Sequence, residues 1–250
     1  MNNKILKKIV GIFGYKVIEK NFIKNQSILF EKSNLTVENI LDYLFERKYI
    51  KSIVQIGAND GTSYEHINYF IKRYKIKSLL VEPIKNNFQL LVKNYKNLNY
   101  VNLENCAVST NNEINYLYKV DEKYLKKYDP SASAIPSFDY KHLIKHGIKK
   151  KHIIKEIVNQ ISFLDLFKKH RINSFDLLYI DTEGYDCHLV NNFLDKIKIR
   201  PIIIFEWIHA PNLNLTSCLN ILIANSYFLL PVKHDLICIP KEKNIKILLN

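Results

Sequence analysis

Ser52-Ile53-Val54-Gln55-Ile56-Gly57-Ala58-Asn59-Asp60-Gly61 is the stretch whose reading decides the fold. Ile53, Val54 and Ile56 make a short apolar run with β-branched side chains, the composition of a buried strand. Gly57 and Gly61 then bracket a tight turn, where glycine tolerates positive φ and lets a ligand come close to the backbone. A helix is expected next, capped by Thr62 or Ser63 and carrying Glu65 in its first turn. Strand, glycine turn and helix together open a nucleotide-binding α/β unit.

Spacing narrows the nucleotide. The dinucleotide fingerprint is G-x-G-x-x-G, whereas this chain has G-x-x-x-G, and no lysine follows Gly61 as a phosphate loop requires. Glu82 closes the apolar run Ser78-Leu79-Leu80-Val81, 21 positions after Gly61. In such folds an acid about 20 residues on hydrogen-bonds the ribose hydroxyls of an adenosine. An ordinary tight turn would account for the two glycines alone. With Glu82 added, the pattern points to S-adenosylmethionine (SAM).

Four motifs in order, V-Q-I-G-A-N-D-G at 54–61, V-E-P at 81–83, N-C-A-V-S at 105–109 and I-D-T-E-G-Y-D at 180–186, resemble the FkbM-type SAM-dependent methyltransferases. The match runs from about Ile53 to Pro240. The resemblance implies a Rossmann-like class I methyltransferase fold, with a mostly parallel central sheet flanked by helices and ending in an antiparallel hairpin. It places SAM along Gly57, Ala58, Asn59 and Gly61, at Glu82 and Pro83, beside Cys106 and Ala107, and at Asp181. At Gln55 the chain departs from the family, which usually has there an acid that helps to hold the methionine end of SAM. The resemblance also implies a serine-bearing loop at Ser131–Ser133 and an acceptor hydroxyl on a sugar bound for a surface glycan.

The 250 residues suffice for one α/β domain with a full core. An apolar fraction of 47% and an aromatic fraction of 12% describe a globular chain. Only 6 glycines and 7 prolines are present, so there is no flexible linker or low-complexity segment. A net charge of +13 reads either as a nucleic-acid or membrane partner or as a general lysine bias. The lysines are spread along the chain and arginine is scarce, which favours the bias and sets no nucleic-acid partner as the expectation. Cys106, Cys187, Cys218 and Cys238 have no metal or C-x-x-C spacing and read as reduced thiols of a cytoplasmic protein. No apolar run reaches the length of a membrane span, and Met1 to Tyr15 lacks a cleavage site for a signal peptide.

Residues 1–50 read as a helical extension, and 51–250 as the methyltransferase domain. Ile5, Ile9, Phe13 and Val17 form one stripe of a helix that either packs on the domain or lies on an anionic membrane surface. Thr36 caps a second helix reaching about Arg47. Strand and helix then alternate through Ser78–Glu82, Lys85–Tyr95 and Asn99–Leu103, with a further strand over Glu113–Val120. From Asp121 to Gln160 the pattern breaks, as expected of a lid or substrate loop. Charge concentrates there, and Lys149, Lys150 and Lys151 are either a solvated face or a cradle for an acceptor phosphate such as that of a nucleotide-diphosphate sugar. Phe175–Asp181 and Pro201–Trp207 are buried strands, and Tyr227–Pro231 with Leu236–Ile239 forms a terminal hairpin.

Gly57, Glu82, Asp181 and Glu206 thus all fall at carboxyl ends of strands, the edge where open α/β sheets bind ligands. Methylating an alcohol needs a base, for which Asp181, Glu183, Glu206 and His209 are the candidates. Asp181 and Glu206 could also supply two oxygen ligands to Mg²⁺. The leading reading is a small-molecule O-methyltransferase. A nucleic-acid methyltransferase competes on charge but lacks the [DN]-P-P-[YFW] turn, since Asp181-Thr182-Glu183-Gly184 stands in its place. A non-catalytic SAM-binding module is the third reading, against which the acids at two strand ends argue.

Overall fold

A computed structural model of the chain describes residues 36–63, 66–109, 114–243 and 245. The expected N-terminal stripe of Ile5, Ile9, Phe13 and Val17, its membrane contact and Glu65 lie outside the described residues. Among the described residues, no helix is long and apolar enough to cross a membrane.

The central sheet has seven strands, β1 (Ser52–Ile56), β2 (Lys77–Val81), β3 (Val101–Glu104), β7 (Leu177–Ile180), β8 (Ile202–Glu206), β9 (Tyr227–Val232) and β10 (Asp235–Pro240). Their order is β3-β2-β1-β7-β8-β10-β9. The first five run parallel, and β10 inserts antiparallel between β8 and β9. The order reverses between β1 and β7, the point at which open parallel sheets form a ligand crevice. Asp176 pins the opposite end of that pair. Its carboxylate accepts from Lys51 N, Ser52 N and the Ser52 hydroxyl at 2.9–3.1 Å, setting the register of β1 against β7.

Period-2 alternation sends successive strand residues to opposite faces of the sheet. On one face Val54, Leu79, Leu178 and Ile203 pack under α6 (Phe163–His170) and α7 (Asp186–Lys196). On the other, Ile53, Leu80, Leu177 and Ile204 pack under α1 (Val37–Glu46), α2 (His66–Tyr74) and α3 (Lys85–Tyr95). Helix α8 (Asn212–Ala224) joins the first face through Leu215 and Leu222. Thr36 caps α1 as expected, its hydroxyl accepting from Asn39 N at 3.2 Å. In the turn before α2, Asp60 accepts from the backbone N–H groups of Thr62 and Ser63 and from the Ser63 hydroxyl at 2.7–2.8 Å.

The 121–160 segment is more structured than a loop. It carries α4 (Glu122–Leu125), α5 (Tyr140–Lys145) and most of β6 (Ile153–Ile161). Strand β6 pairs antiparallel with β5 (Ile114–Val120) and parallel with β4 (Ala107–Val108), making a second, three-stranded sheet. Val120, Ala132, Ile135, Leu143 and Ile148 form a satellite core beneath the helical part. Strand β6 escaped the sequence reading because of its nine residues only Val158 is buried, so no apolar alternation marks it.

Candidate active site

A cavity of about 690 Å³ opens at the carboxyl ends of β1, β2, β7 and β8. Ligand pockets generally fall at about 300–1,000 Å³. Gly57, Asn59, Glu82, Pro83, Cys106 and Ala107 line it from one side. Asp181, Glu183 and Glu206 line it from the other, and Ser131 closes it from the 121–160 segment.

Glu82 leaves the end of β2 and is 4% exposed. Its two oxygens accept from Ile84 N at 2.8 Å and Asn59 N at 2.9 Å. These bonds aim the carboxylate and leave each oxygen a lone pair for a ligand hydroxyl. Asn105 secures the next turn, donating to the carbonyls of Glu82 and Pro83 at 2.8 and 3.1 Å. Burial pushes Glu82 up to about 7 against the pull of its two N–H donors. Burial, with Glu104 nearby, also pushes the Cys106 thiol up to about 12, so it is an inert wall.

Chain packing requires both glycines, Gly57 on the cavity wall and Gly61 off it. At Gly57, φ is +85°, and an added Cβ would stand 1.8 Å from the Asp181 carbonyl oxygen. That carbonyl is close because Asp181 N donates to Ile56 O at 2.9 Å, continuing the β1–β7 ladder. At Gly61, φ is +70°, and a Cβ would meet Leu91 and Tyr95 of α3 at 2.5 Å. Gly61 and Ala58 are both absent from the cavity lining, Ala58 being fully buried with its N–H donated to Val81 O. Gln55 is also off the wall. It is 1% exposed and shares the Ile53 face of β1, turned to the layer of α1 and α2.

The acids gather at the far end. Asp181 is raised well above the usual carboxylate range, by burial first and then by the charges of Asp186, Glu183, Asp235 and Glu82. Glu206 is pushed up to about 9 by burial and by Asp181, Glu183 and Asp186. Asp186, fully buried at the start of α7, accepts from Thr182 N and Gly184 N at 3.2 and 3.1 Å and folds the D-T-E-G turn back on itself. Glu183 is held at φ +52°, a left-handed conformation uncommon for a residue with a side chain. Its backbone carbonyl accepts from the Ser137 hydroxyl at 3.0 Å, and its carboxylate meets His142 Nε2 at 2.8 Å. His209 Nε2 lies 3.5 Å from Glu206. The buried hydroxyl of Thr182, also on the wall, has no hydrogen-bond partner within the described residues. The directed lone pairs of Glu82 and this orphaned hydroxyl are what a nucleoside ligand with a polar tail would satisfy, so the donor set fits SAM.

Other expected site residues stand elsewhere. Ser133 lines a neighbouring hollow of about 450 Å³, and its hydroxyl donates to Pro130 O at 3.0 Å. Lys149, Lys150 and Lys151 are exposed on the turn between α5 and β6, outside the cavity lining. The Mg²⁺ pair also changes. Glu206 converges with Glu183 and His209, their donor atoms within 4.8 Å of one another, but Asp181 joins no such group among the described residues. A nitrogen in the donor set departs from the all-oxygen chemistry Mg²⁺ prefers. Site residues the sequence reading did not single out include His142, Ser137, Phe138 and Tyr185. The rings of the last two meet on the cavity wall with centroids 5.0 Å apart, tilted by 60°. Of these, only His142 carried a signal, being four residues before His146.

The family profile described as "Methyltransferase FkbM domain" matches residues 55–222. No curated protein matches the chain. Among solved structures, it is similar to the methyltransferase FkbM of Methylobacillus flagellatus KT, at 13% identity and TM-score 0.46 over 76% of this chain. The match spans only 44% of that protein. A methyltransferase from Pyrococcus furiosus is similar at 14% identity and TM-score 0.39, covering 84% of this chain and 85% of the other. Precorrin-6y C5,15-methyltransferase from Geobacter metallireducens GS-15 follows at 12% identity and TM-score 0.38, covering 79% and 75%. With the profile spanning most of the sequence, the chain belongs to the FkbM family of SAM-dependent methyltransferases.

Proposed function

We propose that the protein methylates a hydroxyl of a sugar or nucleotide-linked sugar in the cytoplasm, as a step toward a surface polysaccharide. The observation that carries a hydroxyl acceptor is the pair Glu206 and Glu183 on the cavity wall, with His142 at 2.8 Å from Glu183 and His209 at 3.5 Å from Glu206. SAM, when bound, supplies an activated methyl group that brings its own leaving group. The remaining task is alignment and removal of the acceptor proton. Glu82 holds the ribose, and the carboxylate form of Glu206, which grows as the pH rises toward about 9, takes the hydroxyl proton beside His209. Phe138 and Tyr185, with rings tilted by 60°, offer an apolar corner to a sugar ring. The helical part of 121–160 covers the acceptor end as a lid. A nucleic-acid acceptor is disfavoured because Asp181-Thr182-Glu183-Gly184 stands in place of the [DN]-P-P-[YFW] turn that would bind a flipped base.

Calorimetry with S-adenosylhomocysteine tests the cofactor, with NAD as control, and methyl transfer to a panel of nucleotide sugars tests the acceptor. The expected result is S-adenosylhomocysteine binding without an NAD signal, then transfer to at least one sugar. A cofactor-binding chain that methylates nucleic acid and no sugar would overturn the acceptor reading.

The pH dependence of binding isolates Glu82. A ribose hydroxyl donates more strongly to a carboxylate than to a carboxylic acid. With Glu82 at about 7 in the free protein, S-adenosylhomocysteine affinity should rise about tenfold between pH 6 and pH 8. Glu82→Gln should flatten that slope and weaken binding at pH 8 by about 10–100-fold. A slope that survives in Glu82→Gln would remove Glu82 from the ribose.

A further inference from the structure

Three imidazoles converge beside Glu183 and Glu206 of the cavity wall. His142 and His146 stand four apart at the end of α5, so one helical turn carries both. His209 comes from the loop after β8. The His142 ring lies 4.5 Å from His146 and 4.9 Å from His209, and His146 lies 5.2 Å from His209. One donor atom of each falls within 4.8 Å of the others. His142 is buried, His209 half-buried and His146 exposed, so the group has a dry side and an open side.

We infer that His142, His146 and His209 form a binding site for a divalent transition-metal ion of the zinc type. Imidazole nitrogen suits zinc, cobalt, nickel and copper, whereas magnesium and calcium take oxygen. Metal–nitrogen distances of about 2.0–2.1 Å are reached from this spacing by rotating the side chains inward. Glu183, bonded to His142 Nε2 at 2.8 Å, is the carboxylate partner that orients an imidazole ligand. Three protein ligands with one side open to solvent leave a position for water or another oxygen donor. The ion would bind the 121–160 segment, through α5, to the core loop after β8. It would thereby hold the covering segment shut against the sheet.

The site shares His142 and His209 with the acceptor end, but it is tested without SAM or acceptor, so its failure and that of the acceptor reading are told apart. The full chain, stripped with EDTA and dialysed, is titrated with Co²⁺ and followed by its visible d–d absorption, with Mg²⁺ as control. The expected result is one Co²⁺ per chain with Kd below about 10 µM, no response to Mg²⁺, and a raised Tm in Co²⁺. His146→Ala removes an exposed side chain and should keep the fold, while weakening Co²⁺ binding at least about 100-fold and abolishing the Tm gain. His188→Ala, an exposed histidine bonded to Asn214 on α8, should leave binding unchanged. Absence of Co²⁺ binding below about 1 mM would overturn the assignment. So would binding that His146→Ala and His209→Ala both leave intact.

Discussion

Gly57→Ala is expected to lower the melting temperature by about 6–12 °C, corresponding to about 3 kcal/mol in a chain of this size. Two costs combine. A side chain at φ +85° is strained, and the new Cβ would stand 1.8 Å from the carbonyl oxygen of Asp181. That oxygen is backbone at the end of a buried strand, so it cannot rotate aside. The ends of β1 and β7 must part, and they are the two edges that carry the cofactor turn and Asp181. Binding of S-adenosylhomocysteine should therefore weaken with the stability. Gly147→Ala supplies the control. Gly147 has a similar φ of +79° but nothing within 4 Å of an added Cβ, so only the backbone strain remains, about 1 kcal/mol. Thermal melts of the two variants separate conformation from contact. Equal shifts would mean that the Asp181 approach is not what requires glycine.

Glu206→Gln is expected to cut turnover by about 10²–10⁴-fold while leaving S-adenosylhomocysteine affinity nearly unchanged. Glutamine keeps the size and a hydrogen-bonding carbonyl but cannot form the carboxylate that takes the acceptor proton, so wild-type turnover should climb as the pH rises toward about 9 and the residual turnover of the variant should not. The same variant should melt higher at pH 8 with EDTA present, and the sign follows from linkage. Glu206 sits at about 9 when folded, against 4.5 for an ordinary glutamate. Between those values the folded chain holds a proton that the unfolded chain releases, so raising the pH costs stability until about pH 9. An amide has no proton to lose, so the loss disappears. A gain of about 4–8 °C at pH 8, shrinking toward zero near pH 4.5, would match an effect of about 2 kcal/mol. Full turnover in Glu206→Gln would hand the base role to Asp181, Glu183 or His209.

The two variants bear on different layers of the molecule. Gly57 acts through the β1–β7 pairing, which exists before any ligand arrives. Glu206 acts through a charge cluster that folding assembles and water no longer stabilises. Glu82 lies between these extremes, since its place at the end of β2 follows from chain pairing but its affinity for a proton follows from burial.

Sequence by itself determined the α/β class, the alternation of strands and helices, and the row of ligand-facing positions at strand carboxyl ends. These features are local or periodic. Apolar runs such as Ile202-Ile203-Ile204-Phe205 declare buried strands, and Gly57, Glu82, Asp181 and Glu206 follow such runs directly. Tertiary structure alone decided the rest. Whether a strand residue faces ligand or helix depends on which face of the sheet it joins, so Gln55 turned away from the cavity although its neighbour Ile56 lines it. Strand β6 is mostly exposed, and its pairing with β5 leaves no apolar period to read. Gly57 and Gly61 are required by Asp181 and by Leu91 and Tyr95, contacts that no short window contains. The histidine cluster joins α5 to a loop more than 60 residues later, and the left-handed Glu183 that braces it takes its role from burial against His142. Long-range packing sets both the proton affinities of the acids and the convergence of the imidazoles, because each depends on what the folded chain removes from water.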